Sequence, residues 1–113
     1  MVTNPQLFLN KPEGVTITTS TAHNTAIQGQ NVTLTCHVGA ANPPVSEYRF
    51  YLNNSNTALN TLTNINQHTI QGVQRPRDYG KYKCVAKNAA GEGQSNAVVL
   101  NIHGKSFSRE EAT

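Results

Sequence analysis

An all-β fold of two packed sheets follows from three features of the sequence. First, charge is sparse: charged residues make up 13% of 113, against about a quarter in ordinary soluble domains. Asn, Thr and Gln supply the polarity instead, which suits strands with one wet face. Second, apolar residues recur at every second position in several short runs, as alternate side chains of a strand do when they enter a core. Third, both cysteines lie on such runs. In Asn31-Val32-Thr33-Leu34-Thr35-Cys36 the inward set is Val32, Leu34 and Cys36. In Asp78-Tyr79-Gly80-Lys81-Tyr82-Lys83-Cys84 it is Tyr82 and Cys84, with Lys81, Lys83 and, further on, Lys87 outward. Two half-buried strands, each with an inward thiol, can be joined across a core.

The second of these segments resembles the immunoglobulin superfamily. Asp78, Gly80, Tyr82 and Cys84 meet the pattern Asp-x-Gly-x-Tyr-x-Cys. The resemblance implies a two-sheet β-sandwich with Greek-key topology. Tyr82 is then the corner tyrosine, its hydroxyl bonded to nearby backbone. Asp78 holds the turn before the strand by accepting from backbone N–H groups. Cys36 and Cys84 are expected to form a disulfide, and with it comes an oxidising compartment. In themselves these residues build a fold and perform no chemistry.

Taken in order, residues 1–11 read as a tail or linker, because Asn4-Pro5 and Lys11-Pro12 interrupt regular structure. The domain spans 12–103, and 104–113 is a second tail. Residues 15–18 form a first edge strand, where Pro12 just before it is tolerated. The strand 31–38 follows, then a loop over 39–44. The strand 47–52 turns Tyr48, Phe50 and Leu52 inward and Tyr51 outward. Most family members carry a tryptophan about fourteen residues after the first cysteine, where this chain has Phe50. A phenyl ring can pack there but fills less volume than an indole.

Residues 53–66 are weakly patterned, with one short strand near 57–63. His68 stands where a leucine is common and is expected to be partly buried with one hydrogen bond. Cys84-Val85-Ala86-Lys87-Asn88-Ala89-Ala90-Gly91 resembles the Cys-x-Ala-x-Asn-x-x-Gly signature of intermediate-type domains. Gly91 and Gly93 suit a hairpin turn that needs positive φ. Residues 96–103 close the fold, with Val98, Leu100 and Ile102 inward. The 47 residues between the cysteines are too few for the two extra strands of a variable-type domain. Residues 53–68 also lack the arginine that often pairs with the motif aspartate there.

Catalysis needs convergent groups, and none are visible. No Gly-x-Ser-x-Gly elbow occurs, and no glycine loop to cradle phosphate. The histidines His23, His37, His68 and His103 have no short metal spacing, so neither metal nor cofactor is expected. Nine basic against six acidic residues give a net charge of +3, too weak to argue for nucleic acid. No run is long enough to cross a membrane.

Two function classes remain. One is an extracellular recognition or adhesion module of a larger cell-surface or secreted protein, binding a protein (a second copy of itself included) or an acidic glycan. The other is an intracellular filament domain with both thiols reduced. The sequons Asn31-Val32-Thr33 and Asn53-Asn54-Ser55 favour the first, and both asparagines should point into solvent. Alternation assigns a candidate binding face: Arg49 and Tyr51 on one strand, Lys81, Lys83 and Lys87 on its neighbour, Val99 and Asn101 beside them. Four of the nine basic residues then share a face with one ring and one acid, Glu47. Such a face suits an acidic protein surface or a sulfated or sialylated glycan. The plain alternative is a solvated face whose lysines block edge pairing.

Overall fold

The structure, a computed structural model, describes residues 9–104; the expected tails fall outside this range over 1–8 and 105–113. The described residues form eleven strands: β1 (Asn10–Glu13), β2 (Thr16–Thr19), β3 (Thr25–Ile27), β4 (Val32–His37), β5 (Ala40–Asn42), β6 (Glu47–Leu52), β7 (Asn60–Thr63), β8 (Gln67–Ile70), β9 (Gly80–Asn88), β10 (Gly91–Gln94) and β11 (Val98–His103). One sheet has the order β2-β4-β8. The facing sheet has the order β3-β11-β9-β6-β7, with β10 also paired to β9. The fold is an all-β sandwich. The first segment serves both sheets: β2 pairs with β4, and after a 3-10 turn at Ala22–Asn24 the chain joins β11 in parallel as β3.

Cys36 on β4 and Cys84 on β9 are disulfide-bonded across the sandwich, with Cα atoms 5.9 Å apart. Phe50 is the cross-strand partner of Cys84 and is fully buried in the same cluster. Leu34, Tyr82, Leu100 and Ile102 complete the centre. Phe50 thus fills the position expected of it, and Tyr51 on the opposite face is half-buried. The Tyr82 hydroxyl donates to Asp78 O at 2.6 Å. Burial first, then the Asp78 charge, pushes its pKa up, so it stays protonated and able to donate.

Two segments depart from expectation. Lys11-Pro12 does not interrupt the chain, and residues 39–44 are not all loop: β1 and β5 pair with each other. Neither has an alternating apolar pattern, so periodicity could not find them. Pro12 is buried, and the pairing register shifts between Asn10 and Glu13, where a residue without an N–H is tolerated. Buried Asn88 ties the pair to the sheet, its Nδ2 donating to Asn10 O and Pro43 O, each at 2.8 Å. Its Oδ1 accepts from the N–H groups of Ala90 and Gly91.

Gly91 has the expected positive φ, 148°, but Gly93 is not among the positive-φ residues. Gly93 is needed for close approach instead, since a Cβ there would run into the Pro12 carbonyl. The closing strand starts at Val98 rather than at residue 96; ahead of it Ser95 bonds both backbone groups of Cys84, through its N–H and through its Oγ, each at 2.9 Å.

His68 is half-buried, with its ring centroid 5.7 Å from that of Phe50. Its Nδ1 accepts from Asn60 Nδ2 at 3.3 Å, and burial lowers its pKa.

Two outcomes follow for stability. Phe50→Ala should cost about 3–5 kcal/mol, the range for a buried phenylalanine, measured by urea unfolding. His68 is protonated at about pH 6.5 in the unfolded chain, but only at lower pH when folded. The unfolded state therefore binds more protons in that window, and stability falls as pH drops below about 6.5. Urea midpoints at pH 7 and pH 5 should differ less in His68→Gln than in the wild type; an equal difference would remove His68 from the acid sensitivity.

Candidate recognition face

The β6 and β9 ladder decides which side chains share the outer face. Glu47 pairs with Lys87, Arg49 with Val85, and Tyr51 with Lys83. On the other edge of β9, Glu92 pairs with Lys87, Gln94 with Val85, and Val99 with Lys81. Directly opposed residues project to the same side. Arg49, Tyr51, Lys81, Lys83 and Lys87 are thus brought together.

Within this face two zones differ in charge. In the upper zone Arg49 lies between two carboxylates. Its Nε is 3.1 Å from Glu47 Oε2, and its Nη2 contacts Glu92 Oε2 closely. Nη1 donates to the Tyr51 hydroxyl at 3.0 Å. The Arg49 side chain is only 23% exposed, and outward-facing Val85, its cross-strand partner, is only 8% exposed. Arg49 Nε is buried and its contact with Glu47 is charge pairing without a well-aligned hydrogen bond. Glu92 is a correction to the single acid expected here. It arrives on β10, which the sequence reads as part of a turn, and it leaves Arg49 with no free fork.

In the lower zone the cations are open. Lys83 Nζ is 5.9 Å from the Tyr51 ring centroid and donates to Gln94 Oε1 at 3.2 Å. Lys81 is exposed beside Val99, which is 40% exposed. Among the described residues no carboxylate is in ion-pair contact with Lys81, Lys83 or Lys87, and only Lys87, in the upper zone, has acids as its cross-strand neighbours, Glu47 and Glu92.

Below this zone the motif residues are locked. Asp78 Oδ2 accepts from Gln74 N–H at 2.9 Å and from Arg77 Nη2 at 2.6 Å. The arginine sought in residues 53–68 is therefore supplied by the preceding residue. Asn53 and Asn54 have φ of 54° and 59°, and Ser55 N–H closes the turn onto Leu52 O at 3.1 Å. This is the primed geometry that suits a tight hairpin. Asn53 then folds over Gly80: its Oδ1 accepts from Lys81 N–H at 2.9 Å, and its Nδ2 donates to Tyr79 O at 3.3 Å.

The immunoglobulin domain family model matches residues 12–88. The chain belongs to the immunoglobulin superfamily. A sequence comparison with curated proteins finds no match. Among solved structures, the human OSCAR ligand-binding domain is similar with a TM-score of 0.65 at 18% identity, covering 79% of this chain and 49% of that one. Murine CEACAM1b gives 0.61 at 23% identity, covering 83% and 45%. The tandem Ig repeats of Dlar give 0.57 at 25% identity, covering 79% and 49%. This chain spans less than half the length of each.

In this immunoglobulin domain the two sequons differ. Asn31 is exposed, and its Oδ1 accepts from Gly72 N–H at 2.9 Å. Asn53 is exposed too, but its carboxamide does not point into solvent as expected; it is bonded across Gly80. The sequence gives no role to Arg77 or Glu92, and marks Asn53 only as a sequon and Asn88 only as a signature residue. The Asn-Asn pair at 53–54 was the one available signal, as a turn dipeptide tolerant of positive φ.

Gly80 has φ of 144°, and a Cβ there would fall inside the Asn53 carboxamide. Gly80→Ala should therefore cost on the order of 3 kcal/mol through backbone strain alone. Near-unchanged stability by thermal and urea unfolding would mean the turn relaxes freely.

Proposed function

We propose that this immunoglobulin domain is an extracellular recognition or adhesion module of a larger cell-surface or secreted protein, with no catalytic role. It binds a protein partner bearing acidic side chains. The observation that carries this reading is the cationic zone of Lys81 and Lys83 beside Tyr51 and Val99, with exposed Lys87 farther along the same strand. Cations of one sign on an open face steer and select partners of the other sign.

The Cys36–Cys84 disulfide supports an oxidising compartment. The likeness to a ligand-binding domain and to tandem Ig repeats supports a recognition role in a longer chain. A protein partner fits better than a sulfated or sialylated glycan. Arg49 is the one guanidinium on this face, and a guanidinium is the group that clamps such anions in bidentate fashion. It is already held by Glu47 and Glu92. Lysines act as separate point charges and suit carboxylates spread over a protein surface. The filament reading, which needs both thiols reduced, has no observation in its favour. Among the described residues, no helix is long and apolar enough to cross a membrane.

Reversing Lys81→Glu and Lys83→Glu together tests the face. Binding to immobilised poly-glutamate should weaken by at least about tenfold and should fall with salt in the wild type. Heparin binding measured alongside should be the weaker of the two. Unchanged poly-glutamate affinity in the double variant would overturn the face, and stronger, Lys-dependent heparin binding would turn the partner into a glycan.

A further inference from the structure

The two faces of the sandwich are chemically unlike. The outer side of the β6 and β9 sheet carries the lysines. The strands of the other sheet, β2, β4 and β8, contain no Lys, Arg, Asp or Glu. Outward positions there are threonines, a glutamine and His37; Thr33 Oγ1 and Thr69 Oγ1 hydrogen-bond at 2.9 Å, and Gln67 Nε2 donates to Thr35 Oγ1 at 3.3 Å. Both β2 and β8 are edges of that sheet. An uncharged edge needs some other cover against pairing with another chain.

Asn31 sits at the start of β4, and its Oδ1 is bonded to Gly72, two residues beyond the end of β8. It also forms one wall of a shallow groove of about 530 Å³, walled further by Ser20, Thr21, Thr25 and Gln30. Its Nδ2 makes no hydrogen bond among the described residues. Asn53 is the reverse case. Its Nδ2 is bonded to Tyr79 O and lies 2.6 Å from where a Gly80 Cβ would be, so it is packed on the backbone. A glycan on Asn53 would also stand at the foot of the lysine zone.

We infer that Asn31 is an N-glycosylation site and that Asn53, although it also heads a sequon, is not. In the transfer, Asn31 Nδ2 bonds to C1 of the first N-acetylglucosamine of a polyprenyl-pyrophosphate-linked oligosaccharide. The C1–O bond to pyrophosphate breaks, the lipid pyrophosphate leaves with the electron pair, and Nδ2 gives up one proton. Oδ1 keeps its bond from Gly72, so the fold is undisturbed. The sugar then has beside it a groove walled by hydroxyls and by Ile27, and it covers the uncharged sheet, leaving the cationic face open. The inference rests on the extracellular reading.

The test is secretion of the full chain behind a signal peptide from a eukaryotic host, with intact mass and glycopeptide mapping before and after enzymatic deglycosylation. The wild type should carry one N-glycan, mapped to Asn31. Asn31→Gln and Thr33→Ala should both lose it, the second while keeping the asparagine. Ser55→Ala, which removes the other sequon and leaves Asn53 in place, should match the wild type in glycan mass. A glycan on Asn53, or an unmodified Asn31 in the secreted folded protein, would overturn the inference. Failure of the extracellular reading shows elsewhere, as reduced Cys36 and Cys84 in protein drawn from its native source.

Discussion

The bond between Cys36 and Cys84 fixes two quantities at once, the depth of the sandwich and the register of β9. Cys84 can reach Cys36 only if it faces inward, and a period of two then dictates every other residue of that strand. Tyr82 and Ala86 must enter the core, and Lys81, Lys83, Val85 and Lys87 must leave it. A slip of one residue would turn the lysines into the core and the thiol into water. Closing a loop whose ends are 48 residues apart also removes about 4 kcal/mol of unfolded-chain entropy, against a typical domain stability of ~5–15 kcal/mol. Specificity of register and stability therefore come from one covalent link, and the outer face inherits its composition from it.

What the disulfide cannot do is satisfy backbone groups where the ladders stop. Four side chains take that task. Asn88 holds β1, the chain before β6, and the β9–β10 turn in one set of four bonds. Asp78 and Tyr82 close the approach to β9. Ser95 covers both polar groups of Cys84 where β10 gives way to β11. All four residues are buried, and a buried polar group left unpaired would cost ~1–3 kcal/mol. The two glycines of closest approach belong to the same arrangement. Gly93 admits the Pro12 carbonyl and Gly80 admits the Asn53 carboxamide, so each marks a place where a neighbour occupies the space of a side chain.

These clamps divide what could be read in advance from what could not. Strands β4, β6, β9 and β11 bury one face, and burial writes a period of two into their sequences. Their facings, the cysteine pair and the place of Phe50 were legible for that reason. The outer face was legible too, because it is the complement of the buried one. Strands β1 and β5 were not, since Asn-Lys-Pro-Glu and Ala-Ala-Asn are held by Asn88 rather than by an apolar stripe of their own. Glu92 was missed because its segment is glycine-flanked and turn-like, though it pairs along β9. Arg77 was missed because its partner is the next residue, and adjacency in sequence carries no periodic signal.

The resulting electrostatics follow from geometry more than from composition. A net charge of +3 says little, but its distribution does. Glu47 and Glu92 are both spent on Arg49, which lies over Val85 and must be neutralised where it is poorly solvated. That leaves three lysines with no ion pair of their own, on an inner strand of the sheet. Because β9 is an inner strand, flanked by β6 on one side and by β10 and β11 on the other, edge protection does not account for its lysines. The opposite sheet has two open edges and no formal charge on its strands. Charge therefore lies where the fold has no structural use for it and is missing where an edge could use it, which favours recognition over solubility as the reason for the lysines.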